Sequence, residues 1–373
     1  MVRPMMRYFF IALFCFSSLA TSMSAQDIGG FRDEKQRFWV FEDGQFHQLH
    51  HQETPFFKTD GDFVLFTDSR DEFHYYSKGN EVTMHLFDAN ELYFTSNYLT
   101  VTTVANVLSV MREGKKETLS LQRDPFFVYG DSIVAFIDYD RILKVYEGNA
   151  INAMKNVKEL ENFEVNQVQA SDNSVAYVNL AEEFYFYQKG EKELIEDDEP
   201  QEFKMGCDLI LYIDNFGEFK IYRDGEFSSL ISYEPLSYMV GDNVAAYLTD
   251  MGSFNWISSK TAEPVELSTE APKFYRIVDN TMVYADDYGS FHVIYQDQHK
   301  TLTGYVPEEY DMSEGVVAYQ DHNGYLRAFY EGEDVAVSEQ IVTSFEVQGR
   351  VILFQEGNGS TIIFHNGQLY YRN

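Results

Sequence analysis

Runs of five or six residues dominated by aromatic and β-branched side chains recur along this chain, each followed by a cluster of Asn, Asp and Gly. Such runs and breaks predict short strands joined by tight turns. Across 273–304, KFYRIVDN, TMVYADDYG, SFHVIYQDQ and HKTLTG follow one another as four strand-and-turn units. Helical periodicity is nearly absent. The exception is NAINAMKNVKELENF at 149–163, which reads as an inserted loop of weak helical character.

The second strand of each unit is apolar at every position. In DLILYID (208–214), Leu209 and Leu211 point one way while Ile210 and Tyr212 point the other. A strand with one wet face would alternate apolar with polar residues, so this one must be covered on both sides.

Aligning these strands on their terminal aromatic exposes an internal repeat. The anchors are Phe31, Phe66, Phe136, Tyr177, Tyr212, Tyr247, Tyr284, Tyr319 and Phe354, with Val101 as a degenerate copy halfway through the 70-residue gap. Neighbours are 35 residues apart, except for steps of 41 and 37. Two residues after the anchor stand Asp33, Asp68, Asp138, Asp214, Asp286, Asp321 and Glu356 in seven of the ten copies. Thirteen after it stand Gly44, Gly79, Gly114, Gly190, Gly225, Gly332 and Gly367, with Gly148 one residue early, and Pro55, Pro125, Pro200, Pro235, Pro272 and Pro307 lie eleven or twelve before it. Three residue types sharing one phase mark a repeat architecture. Four-stranded antiparallel sheets stacked face to face around an axis cover the second strand on both sides, as its composition demands.

The expected fold is therefore all-β: one large β-propeller of about nine blades (eight to ten), period about 35 residues, occupying 26–373. Residues 31–49 supply part of a blade and are expected to close the ring against IIFHNGQLYY at 362–371. Two five-bladed rings are the weaker arrangement, because no linker interrupts the middle of the chain.

Composition adds the compartment. Arg3 and Arg7, the apolar run Tyr8–Leu19 and the small residues up to Ala25 predict a secretory signal peptide at 1–25. Cys15 is flanked by Phe14 and Phe16, which does not suit lipidation. An exported chain, periplasmic, extracellular or associated with the cell envelope, and not integral to the membrane, is expected. Its one remaining cysteine, Cys207, permits no intrachain disulfide and reads as a small buried side chain. Loss of the two leader arginines takes the formal charge from −32 to −34, which opposes binding to nucleic acid or anionic lipid.

The chemistry-bearing candidates are few. The acids two residues after the anchor fall at turns on one face, where Asp68, Asp138, Asp214, Asp286, Asp321 and Glu356 could meet a cation or a basic partner. The connection bearing Glu196, Asp197, Asp198 and Glu199 joins them there. The simpler role of each Asp is to start its hairpin by an Asx-type hydrogen bond, as in DNFG, DDYG and DHNG. A calcium loop would need further carboxylates at alternate positions. No cofactor or resident metal is expected, and calcium is the one ion the acids invite. His47 and His51 in HQLHH have a spacing that suits a metal but lack companions, while His74, His292 and His322 read as ordinary surface residues. Trp39 and Trp256 are expected between blades. The motifs G-x-S-x-G, H-E-x-x-H and G-x-x-x-x-G-K-[ST] do not occur, so no catalytic residue is assigned and enzymatic activity is left open. The sialidase turn S-x-D-x-G-x-x-W is approached only loosely, for here Asp and Gly are three apart and the Trp is missing.

The blades VLFTDSRDEFHYY (64–76), LYIDNFGEFKIY (211–222) and VAYQDHNGYLRAFY (317–330), with KTLTG (300–304), resemble those of TolB-like and WD-like bacterial propellers over 31–373. The chain departs from them ahead of the second strand, where VGDN, SEG or YGDS replaces a Ser-Pro-Asp-Gly turn, and no functional residue carries over. The resemblance implies a protein partner in the envelope, and a role as an accessory, gating or plug subunit of an outer-membrane secretion translocon. The alternative is a propeller enzyme or binding protein acting on polysaccharide or peptide.

Overall fold

The computed structural model describes residues 28–372, apart from 61–62, 85–88, 96–97, 106, 113–114, 124, 149–156, 262 and 358. The signal peptide, with Cys15, lies outside the described residues. Within them the chain forms antiparallel sheets in simple meander order. Ile28–Arg32, Arg37–Glu42 and Gln45–Glu53 make a three-stranded blade 1. Blades 2 to 8 have four strands each and occupy 57–84, 89–120, 127–159, 165–196, 202–231, 237–268 and 274–303. The long strand Glu333–Gln348 is the outer strand of blade 9 and then the inner strand of blade 10, so these two blades share one sheet of seven strands. No proline interrupts SEQIVTSFE (338–346), whereas six other connections carry one.

Among the described residues ten apolar clusters hold the blades together, and each is shared by two neighbours. The second strand of blade 6 shows why. Leu209, Leu211 and Ile213 pack toward blade 7, while Ile210 and Tyr212 pack toward Phe184, Ile195 and other residues of blade 5. Phe31 and Phe41 of blade 1 pack with Val351, Leu353 and Ile363 of blade 10, which closes the ring at ten blades. Anchors pair across to aromatics on the inner strand: Phe57 with Phe66, Phe127 with Phe136, Phe203 with Tyr212, Tyr275 with Tyr284. In blade 3 the pair is Leu92 with Val101, which explains why that copy is faint in the sequence.

Two details differ from the sequence reading. Val157–Glu159, inside the stretch read as a loop, is the outer strand of blade 4. Residues 149–156, ahead of it, lie outside the described residues. Blade 1 also starts at the anchor strand, with no inner strand among the described residues. Where that strand would pair, the side chain of Gln348 from blade 10 accepts from Gly30 N–H (2.8 Å) and donates to Gly30 C=O (3.2 Å).

Candidate interaction face

A four-stranded meander places its second-to-third turn and its exit to the next blade at the same end, so these segments build one face of the ring. Turn 214–218 illustrates the construction. Asp214 Oδ1 accepts from the N–H groups of Phe216 and Glu218, both at 2.9 Å, and its carbonyl accepts from Gly217 N–H. Gly217 has φ +85°, a left-handed conformation that glycine adopts without strain. The equivalent positions in blades 1, 2, 4 and 5 are Gln36, Asp71, Arg141 and Glu182, each with φ between 61° and 67°.

The acids of this face are engaged at home. Asp68 and Asp321 cap their turns as Asp214 does, and Asp286 Oδ1 accepts from the Ser290 N–H. The second oxygen commonly meets a partner on the third strand, eight residues after the anchor. Lys220 Nζ lies 2.9 Å from Asp214, Lys144 Nζ 3.5 Å from Asp138 and His292 Nε2 3.1 Å from Asp286. Asp138 also accepts from Ser120 Oγ, and Glu356 from Ser338 Oγ. Burial of Asp214 would raise its pKa, but Lys220 and the turn amides outweigh that and hold it below the ordinary carboxylate range. In the acidic connection, Glu196 accepts from Tyr212 Oη and Lys220 Nζ, and Glu199 from Gln167 Nε2. Asp197 and Asp198 are exposed.

What the sequence reading did not single out is the apolar content of this face. The turn tips are Val104, Tyr139, Leu180, Phe216, Met251 and Tyr288, with Phe216 and Tyr288 both 86% exposed. The connections add Leu121, Phe126, Phe163, Leu236 and Ile341. The opposite face is built of first-to-second and third-to-fourth turns, the latter carrying pairs such as Lys78-Gly79, Asp224-Gly225 and Asn366-Gly367. Among the described residues no tip of these turns carries a large exposed apolar side chain; Tyr129, Phe227, Val265 and Leu369 are exposed at the strand ends beside them. The signal was present in the sequence, as an apolar residue three or four positions after the anchor.

The opposite face carries acids that the sequence reading noted only as a departure from the Ser-Pro-Asp-Gly turn. Asp242 N–H donates to Asp279 C=O, and the N–H of Cys207 to Asp242 C=O, so consecutive turns are linked through their backbones. Burial, and the negative Glu314, Asp131 and Asp172, push the Asp242 carboxyl up to about 6, although the Cys207 thiol partly offsets them. Burial, then Asp242 and Asp172, push the Cys207 thiol far above its usual value, which disfavours the thiolate a nucleophile needs. A cavity of about 220 Å³ on this face is lined by Trp256, Tyr295, Lys260, Asn280 and Glu314, among others.

The histidines need correction. His74 and His292 lie on third strands and stack on their anchors, Phe66 and Tyr284, with centroids 5.0 and 4.6 Å apart; neither is an ordinary surface residue. Two register shifts where Arg37–Glu42 pairs with Gln45–Glu53 break the alternation that would hold His47 and His51 on one face. His51 Nδ1 lies 2.7 Å from Gln48 Nε2, and the His47 ring lies beside Tyr76. His322 contacts Tyr305 at the surface. Trp256 is buried, and Trp39 is half-buried with its indole N–H on Asp33.

A closed ring of stacked four-stranded sheets is a β-propeller. The chain belongs to the family of the 10-bladed beta propeller domain, whose model matches residues 22–370. No curated protein matches it. Similar solved structures include the computationally designed Ika8 protein, with 14% identity over 78% of this chain and 98% of that one and a TM-score of 0.35. Prp20p from Saccharomyces cerevisiae shares 13% identity over 71% of this chain and 73% of its own, with a TM-score of 0.36. PorZ, a surface component of the type-IX secretion system of Porphyromonas gingivalis, shares 10% identity over 94% of this chain and 59% of its own, with a TM-score of 0.30.

Proposed function

We propose that this protein is a non-catalytic binding module that engages a protein partner through the face of second-to-third-strand turns. The observation that carries the reading is the asymmetry of the two faces. Large apolar side chains crown one of them, and exposed apolar patches of this kind mark interaction sites. Aromatic anchors supply most of the contact energy in protein interfaces, and turns held by a closed ring present them with little backbone ordering cost. The exposed Asp197 and Asp198 at the rim favour a partner with basic residues around an apolar centre. The predicted signal peptide and the TolB-like repeat pattern narrow the proposal to an exported protein whose partner belongs to a cell-envelope assembly, as an accessory, gating or plug subunit.

The test is crosslinked affinity capture from native envelopes with three baits: the wild-type chain, a Phe216→Ser/Met251→Ser/Tyr288→Ser variant, and an Asp224→Lys/Asn366→Lys variant of the opposite face. The reading expects a stoichiometric partner with the first and third baits and its loss with the second. Equal recovery by all three, or no stoichiometric partner with any, refutes it.

A further inference from the structure

Blade 2 departs from its sister blades at one point. Asp68, two residues after the anchor, Glu72, six after it, and His74, eight after it, each direct one ligand atom into a common space, all three within 4.8 Å of one another. Asp68 closes the second strand, Glu72 follows the turn and His74 sits on the third strand, so the hairpin itself fixes their separation.

The imidazole is held in place without its outer nitrogen being used. His74 stacks on Phe66 with an interplanar angle of 15°, and its Nδ1 lies 2.9 Å from Glu81 Oε1. Its side chain is 12% exposed, and Nε2 is buried with no hydrogen-bond partner. That nitrogen faces Asp68 Oδ2 at 3.9 Å, too far for a hydrogen bond. Asp68 spends Oδ1 on the turn amides of Arg70 and Glu72, which leaves Oδ2 to face the imidazole. Two zinc–ligand bonds of about 2.1 Å span at most about 4.2 Å, so an ion fits between these atoms where a proton does not bridge them. Glu81 on Nδ1 completes the carboxylate–histidine–metal arrangement that orients a ligating imidazole with its Nε2 lone pair outward.

Blade 8 is a built-in comparison. His292 and Asp286 occupy the positions of His74 and Asp68, but Ser290 replaces Glu72 and the nitrogen and oxygen close to 3.1 Å. The pair without the third ligand makes an ordinary hydrogen bond; the pair with it stands apart. From this geometry we infer that Asp68, Glu72 and His74 form a binding site for one divalent transition-metal ion. One nitrogen and two carboxylate oxygens suit Zn²⁺ and leave a position for water or a partner's side chain. The inference is independent of the partner proposed above.

The test is calorimetric titration of the chelator-treated full chain with Zn²⁺, with bound metal counted by mass spectrometry after desalting. The expected result is one saturable site per chain that excess Ca²⁺ does not displace. His74→Gln and Glu72→Gln each abolish it or weaken it at least about tenfold, and Glu81→Gln weakens it roughly 10- to 100-fold. His292→Gln leaves it unchanged. Circular dichroism checks folding, and if His74→Gln misfolds, the Glu72→Gln result decides. Absence of a saturable site, binding that survives both ligand substitutions, or loss of binding in His292→Gln overturns the assignment.

Discussion

Replacing Gln348 with Ala removes the two hydrogen bonds that its amide makes to Gly30 across the junction of blades 10 and 1. Gln348 is 7% exposed and Gly30 is buried. Each bond contributes about 1 kcal/mol net, and a backbone group left dry and unpaired costs a further 1–3 kcal/mol. A cavity of about 390 Å³ borders Gly30 and admits water to part of the vacated site. The expected loss is therefore about 2–4 kcal/mol, short of the full penalty for two stranded groups. Urea unfolding measures it, because Trp39 reports on blade 1 and Trp256 on blade 7. The Trp39 signal should change at lower urea than Trp256, and exchange of the Gly30 amide should accelerate. Gln348→Glu should do no better, since its second oxygen would face the Gly30 carbonyl. A Gln348→Ala variant within about 0.5 kcal/mol of wild type, with Gly30 protection intact, would refute the reasoning.

Further perturbations read other parts of the ring. Asp242 has its folded pKa raised from 3.8 to about 6, so the folded state binds the extra proton and wild-type stability falls as pH rises across that interval. Asp242→Asn should flatten that limb and be the more stable protein at pH 7 by on the order of 2 kcal/mol, as thermal melts from pH 4 to pH 8 will show. Gly241→Ala should destabilise by about 3 kcal/mol or more, because its Cβ would lie 2.1 Å from Asp279 O and force two linked backbones apart. Chemical denaturation checks this, and a neutral substitution would contradict the packing of these turns.

The repeat was legible because its punctuation is chemical. Asp214 and Gly217 each perform the one task their residue type performs best, and the same task recurs at the same spacing. The two-sided apolar second strand announced stacked sheets for a similar reason, since Leu211 and Tyr212 could not both be buried otherwise. The sequence bounds the blade count only to eight to ten, because residues 31–49 supply less than a full period and the pattern does not show whether they make a blade of their own. The strand at 157–159 is hidden in the sequence because NVKEL has helical composition, which tertiary pairing with Leu143–Glu147 overrides. The closure by Gln348 was invisible, for it joins residues 318 positions apart and no pattern marks it. The place of His74 is not legible in the sequence, which shows only its nearness to a turn, whereas its stacking on Phe66 depends on the neighbouring strand.

Recognition through the crowned face is tested most directly by hydrogen–deuterium exchange of the isolated captured complex. Turns 214–218, 249–253 and 286–290 should be protected on partner binding, with turns 224–225 and 296–297 of the opposite face exchanging as in the free chain. Protection confined to the opposite face, with the first three turns unchanged, would contradict it.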